Sequence, residues 1–263
     1  VSKADGGTFD GNVTMAGTFT SQGIDDNASS TVVTVSTGGF TLSPATNNLY
    51  LADGTLSYYG TDNNVYLNGA GSGGGLLLSG DGTRAENIDI DASENNIKFT
   101  VGTAERMKID SNGIITKPYQ PAFSAHKNGN HQNNMAVGSD VDITFDTERF
   151  DVNSDYDTSN STFTAPVTGK YFFNLCLRLA YVDNASNYII ASIVTSNESY
   201  RFIVDPTDTM TGDPDYYEII VTALADMDAS DTAKVQYLQS GGSAQTDARG
   251  NQQYTFFTGH LVC

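Results

Sequence analysis

Apolar and polar residues alternate along most of this chain. The clearest run follows Gly169, where Tyr171, Phe173, Leu175, Leu177 and Leu179 fall on every second position. A period of two puts one set of side chains on one face of a strand. The same alternation predicts strands at residues 187–195, 199–204, 217–224, 231–238 and 253–262, with Phe123 and Ala125 in an earlier one. Before residue 117 the alternating runs are shorter, at 31–35, 48–51, 64–67 and 96–99. Three of these four read Asn, apolar, any residue, then apolar or aromatic. Gly, Asn and Asp separate them and supply turns with positive φ. The spacing has no strict period, so it does not establish a solenoid. Arg106-Met107-Lys108-Ile109-Asp110 alternates as a strand, and Asn112-Gly113 suits the hairpin turn after it. The chain is predicted to be all-β.

Composition divides it. Residues 1–116 carry most of the 26 glycines but few of the 13 Phe and 14 Tyr. One copy of that region has too little apolar area for a large core, whereas the rest of the chain has enough. Lys117-Pro118-Tyr119-Gln120-Pro121 marks the change, and its two prolines favour an extended connector. The expected organisation is a Gly/Asn-rich β shaft at 1–116, a linker at 117–121 and a β-sandwich head of jelly-roll type at 122–263. Short strands with little apolar area are marginal alone. Three chains wrapped together share a narrow core and close their edges, so the shaft is expected to be an intertwined trimer.

The formal net charge is −18. That argues against nucleic acid or anionic membranes as partners, since both call for basic patches. No apolar run approaches the roughly 18 residues of a membrane span, so no membrane insertion is expected. Cys176 and Cys263 are too few for a disulfide framework. Two free thiols are expected, with pairing to each other or between subunits left open.

The aromatics and glycine of residues 145–173 have a recognisable spacing: Phe145, Asp151, Tyr156, Phe163, Gly169, Tyr171 and Phe173. This resembles the signature of the complement C1q globular head family, whose fold is shared with tumour necrosis factor. The closing Phe256-Phe257-Thr258-Gly259-His260-Leu261 is similar to that family's last strand. Leu175 departs from the signature, which usually has an aromatic there. The resemblance implies a homotrimeric binding head and no enzyme. Residues 97–116 resemble the end of a bacteriophage tail-fibre shaft. The matching residues are Phe99, Thr103, Glu105 to Asp110, and Asn112-Gly113, and the opening residues 6–24 are similar in style. This second resemblance implies a virion fibre, extracellular when it works. Its partners would be itself, other virion structural proteins and a host cell-surface glycan or protein. Alternatives are a capsid or neck fibre with the head as a trimerisation cap, a secreted lectin-like protein, and a glycan depolymerase in the shaft.

Two loops are the candidate binding surfaces. The first carries Asp205, Asp208, Asp213, Asp215, Tyr216 and Tyr217. Calcium takes six to eight oxygen ligands, which makes Asp205, Asp208 and Asp213 candidate Ca2+ ligands. The tyrosines suit stacking on sugar rings, with hydroxyls free to hydrogen-bond. The second loop, 241–252, carries Asp247 and Arg249 among amides, a mix found on adaptable binding surfaces. An acidic head meeting a polyanionic envelope needs screening or a bridging cation, so adhesion is expected to depend on divalent cations. Residues 151–157 have the Asp-any-Asn-any-Asp form, but Tyr156 replaces the Gly and Thr162 the Glu of a calcium loop. They read as a strand edge and turn. Asp89 and Asp91 share a face, as a polar outer surface does. Glycines 69–75 lack the Lys and Ser/Thr of a phosphate loop. His126 and His131 are expected in an exposed loop, and with His260 they have no metal-ligand spacing. No catalytic residues are assigned.

Overall fold

A computed structural model of the chain describes residues 76–79, 85–91 and 93–263. The runs expected at 31–35, 48–51 and 64–67, the opening 6–24 and glycines 69–75 lie outside the described residues. Contacts divide the chain into units Val1–Val65 and Tyr66–Cys263, and every described residue belongs to the second.

The described part begins with an antiparallel meander. Its strands are β1 (Leu76–Ser79), β2 (Asn87–Asp91), β3 (Asn96–Val101), β4 (Ala104–Ile109) and β5 (Ile115–Thr116), each paired with the next. The β4–β5 hairpin closes where expected. Gly113 takes φ +79°, and the Asp110 carboxylate accepts the N–H groups of Asn112 and Ile114.

The head opens with β6 (Ala122–His126), β7 (Val141–Asp142), β8 (Thr147–Val152), β9 (Tyr156–Asp157) and β10 (Thr162–Thr164). Then come β11 (Gly169–Ala180), β12 (Ser186–Thr195), β13 (Ser199–Val204), the one-turn helix α1 (Pro206–Thr209), β14 (Tyr217–Met227), β15 (Thr232–Gly241), β16 (Asp247–Ala248) and β17 (Phe256–Leu261). Two antiparallel sheets form a jelly-roll-like sandwich. One runs β14-β11-β17-β6-β8, with β16 also on β11; the other runs β13-β12-β15-β10-β9, with β7 on β15. Two expected strands run further than their alternation, β14 to Met227 and β15 to Gly241. The last strand starts later than residue 253, because Tyr254 and Thr255 donate back to the Asn251 carbonyl in a turn.

The period of two along β11 becomes the core. Tyr171, Phe173, Leu175, Leu177 and Leu179 are all fully buried, so the leucine at 175 is accommodated as a core side chain. Ile219, Val221, Ala223, Ala225 and Met227 of β14 and Ala233, Val235 and Tyr237 of β15 complete the two inner faces. Phe123 lies at the centre. It stacks on Tyr156 at 4.8 Å and Phe163 at 5.0 Å between ring centroids, and meets Phe257 edge-on at 5.1 Å.

The polar member of the signature acts differently. The Asp151 carboxylate accepts the N–H groups of Asp155 and Tyr156 across a turn in which Asn153 and Ser154 take positive φ. That turn delivers Tyr156 to the core. Gly169 is required by space: a Cβ there would lie 2.6 Å from the Cys263 carbonyl oxygen and 2.6 Å from Leu261 Cδ1. Both cysteines are free thiols, Cys176 buried and Cys263 exposed.

His126 corrects the sequence reading. It closes β6, an interior strand between β17 and β8, and is buried instead of lying in an exposed loop. Burial pushes its pKa down, and the Arg149 guanidinium pushes the same way against the Asp146 carboxylate. Lys127, one residue on, is 1% exposed, with Nζ donating to the Thr144 carbonyl at 2.9 Å and its Oγ1 at 2.6 Å. His131 is exposed, as expected, and its Nδ1 accepts the Gly250 N–H.

Candidate functional site

Four connections gather at one end of the sandwich: 127–140, 181–185, 205–216 and 242–255. Both candidate loops are among them. Two side chains unnoticed in the sequence hold them together. Asn184 donates from Nδ2 to the carbonyls of Pro206 and Met210, and its N–H donates to Asp213 Oδ1 at 2.7 Å. Asp183, buried, accepts the N–H groups of Ser243 at 2.6 Å, Ala244 at 2.8 Å and Ala185 at 2.8 Å. Gly242 sits so close that a Cβ would lie 2.5 Å from Asp183 Oδ2. The only hint of this in the sequence is Gly241-Gly242 at a strand end, and both take positive φ.

Burial alone would raise the pKa of Asp183, but the three N–H groups outweigh it and hold the carboxyl below its usual value. The carboxylate therefore stabilises the fold fully above the unfolded pKa of about 3.9, and that contribution is lost as pH falls through the lower folded value. Hydrogen bonds to a charged group contribute about 1.5–3 kcal/mol. Asp183→Asn should accordingly speed amide exchange at Ser243 and Ala244 at least about tenfold at neutral pH, read by hydrogen-exchange mass spectrometry. Strong acid should loosen the same amides in the native chain. Unchanged protection in the variant would show that the clamp does not hold the loop.

The structure separates the sequence candidates. Asp205 caps α1, its carboxylate accepting the Asp208 N–H, and Asp213 is committed to Asn184. Among the described residues, no three His, Cys, Asp or Glu side chains gather as a metal site. Asp205 and Asp213 each give one carboxylate oxygen to a backbone N–H group. Tyr216 points outward and is 59% exposed, while Tyr217 turns the other way and packs on the core. Asp208 and Asp215 are exposed. Asp247 is buried, its carboxylate accepting the Asn134 N–H at 2.7 Å, and Arg249 lies 4.0 Å from it.

Tyr216 does have company, from residues the sequence did not single out. The Arg178 guanidinium lies 3.3 Å from the Tyr254 ring centroid and 5.5 Å from that of Tyr216, and its Nε donates to Glu218 Oε1 at 2.7 Å. Cation–π contact and the ion pair hold the guanidinium against the Tyr254 ring and near that of Tyr216. The result is a rigid aromatic and polar surface beside the exposed tip of the 205–216 loop.

Below it runs the outer face of the β14-β11-β17-β6-β8 sheet, banded by register. One row is Ala122, His260, Phe172 and Leu224; another is His126, Phe256, Cys176 and Ile220. A polar row of Ser124, Thr258, Asn174 and Thr222 separates them. Leu224 and Ile220 are each 60% exposed. Phe172 is exposed with them, whereas His126 and Cys176 of the second row are buried. Exposed apolar side chains grouped on a sheet face are suited to contact with another protein surface.

The family model described as C1q domain matches residues 122–262. Among solved structures, the globular domain of zebrafish complement 1qA protein aligns with 16% identity and a TM-score of 0.39, over 55% of this chain and 98% of that one. The crystal structure of murine APRIL at pH 8.0 aligns with 10% identity and a TM-score of 0.39, over 54% of this chain and 99% of that one. No curated protein matches.

Proposed function

The chain belongs to the C1q domain family, and on that premise we propose that it is a non-enzymatic homotrimeric virion fibre of phage tail type. Its head contacts a glycan or protein on the host-cell surface. Domains of this family typically form homotrimers, bind ligands and work outside the cell. Among the described residues, no helix is long and apolar enough to cross a membrane.

The observation that carries the reading is a pairing within one chain. A C1q domain follows a β-meander whose sequence, at 97–116, resembles the end of a phage fibre shaft. A secreted lectin-like protein of this family would be supported by a collagen-like Gly-X-Y stalk, and these 263 residues contain no such repeat. The banded outer face of the β14-β11-β17-β6-β8 sheet is the surface through which the heads associate. The loop end carrying Tyr216, Arg178 and Tyr254 is the surface left for the ligand. Division into shaft 1–116, linker 117–121 and head 122–263 follows from the same reading.

Aromatic contacts are worth about 0.5–1.5 kcal/mol each, so Tyr216→Ala should cost each head about fivefold in affinity. With three heads engaged together, the loss should reach about a hundredfold in avidity. Binding of the labelled full chain to host cells measures this, with trimer mass checked by light scattering. A variant that stays trimeric and binds cells as well as the native chain would remove the loop end as the binding surface. Antibody imaging of intact particles tests the virion assignment; particles that carry no label would overturn it. The head as a trimerisation cap is the alternative, and it predicts that Tyr216→Ala leaves attachment unchanged.

A further inference from the structure

The meander of β1 to β5 has two unlike faces. Register sets Leu78 opposite Ile88, Ile88 opposite Phe99, and Phe99 opposite Met107. The next apolar row sets Ile90 opposite Ile97, Ile97 opposite Ile109, and Ile109 opposite Ile115. Side chains alternate along each strand and match across strands, so all of these share one face. The other face carries Asp89, Asp91, Lys98, Lys108 and Thr116. Lys98 is 2.5 Å from Glu94 and 4.0 Å from Asp91 there, an arrangement suited to solvent.

No described residue of the five strands is buried. On the apolar face, Leu78 is 49% exposed, Ile90 42% and Ile115 55%. Strands about 4.8 Å apart and some five residues long give a face of roughly 350 Å². That falls in the range of about 300–600 Å² for the largest apolar patch on a typical monomer, which is often functional. The meander pairs each strand with the next strand of its own chain, so among the described residues what it lacks is a second layer.

We infer that residues 76–116 form one side of a three-sided β prism. Three copies turn their apolar faces to a common axis and their charged faces to water. The occupant of the face is a further copy of this chain, for a reason of continuity. The proposed homotrimer of heads tethers three meanders side by side, since β5 ends at Thr116 and β6 of the head begins at Ala122. That raises their effective concentration for one another. The Arg106 guanidinium, 4.1 Å over the Tyr119 ring, holds the connector onto the meander. Within these residues the chains associate by faces, without exchanging strands. The inference rests on the homotrimer reading.

Single cysteines test it in the full chain, with Cys176→Ala and Cys263→Ala as background. Ile90→Cys, Met107→Cys and Ile115→Cys place a thiol on the apolar face, and Asp89→Cys places one on the charged face. Ile115→Cys, at the exposed end of the meander, is the least disturbing to folding. Under mild oxidation, three thiols around one axis pair two at a time, so about two-thirds of chains should run as covalent dimers. Asp89→Cys should stay uncrosslinked. Trimers by light scattering whose apolar-face thiols fail to pair, or pair no better than Asp89→Cys, would overturn the prism and leave the head reading intact. A monomeric full chain would overturn both.

Discussion

Phe123→Ala should destabilise the head by about 3–5 kcal/mol, a large share of the roughly 5–15 kcal/mol that holds a domain folded. Phe123 is 1% exposed and touches rings from four other segments: Tyr156 of β9, Phe163 of β10, Phe173 of β11 and Phe257 of β17. Its removal leaves a cavity between two sheets whose backbones are each held by continuous antiparallel ladders, so the site cannot collapse to fill it. Urea unfolding of the full chain, followed by near-ultraviolet circular dichroism of the core tyrosines, measures the loss. A midpoint within experimental error of the native chain would contradict the central place given to this ring. Phe150→Ala is the control. Phe150 sits on β8, is 52% exposed, and should cost much less when measured on the isolated subunit.

The second large effect comes from adding an atom. A Cβ at Gly259 would lie 2.5 Å from Phe173 Cδ1 and 2.7 Å from Phe123 Cε1. Neither ring can retreat, because both are packed against further aromatics of the same cluster. Gly259→Ala should therefore cost about 1–3 kcal/mol, the usual range for an overpacked core. The double variant Gly259→Ala with Phe173→Leu should recover part of the loss, since the shorter side chain removes the contact. Thermal melts of the two variants check this. A double variant no more stable than the sum of its singles would mean that the strain lies elsewhere. The two predictions share one cause: the centre of the sandwich is a layer of rings lying on a glycine.

How much of this was legible in the sequence differs between core and site. Period-two alternation located most head strands, and the spacing of Phe145, Tyr156, Phe163, Tyr171 and Phe173 marked side chains that are all buried. Tyr171 and Phe173 are readable because a strand side chain must face in or out, and a long apolar stripe has one favourable choice. Phe145, Tyr156 and Phe163 were marked by the family resemblance. His126 was misread because its neighbours Asn128, Asn130 and Asn133 suggested an exposed loop. Its burial depends on β17 and β8 lying on either side, a contact between distant segments.

The loop end was legible only as composition. Acidic and aromatic residues pointed to the 205–218 stretch. Yet a carboxylate's availability depends on which N–H groups reach it, and for Asp213 that group comes from elsewhere in the chain. Asn184 takes Asp213, and the helix backbone takes Asp205. Arg178 sits near the end of β11 between Leu177 and Leu179 and gave no signal, because its partners Tyr216 and Tyr254 lie far along the chain.

The sequence by itself determined the all-β class and many of the side chains that fill the head's core, because these follow from periodicity along a strand; the C1q-type head came from a resemblance to a known family's residue spacing. Only the tertiary structure decided which polar groups are spent on the fold and which remain at the surface. It likewise decided that the meander keeps one face apolar that the other described residues do not bury. The physical reason is the same in each case. Alternation is a local property of a strand, whereas the partner of a carboxylate, a guanidinium or a sheet face is supplied by chain far removed in sequence, or by another copy.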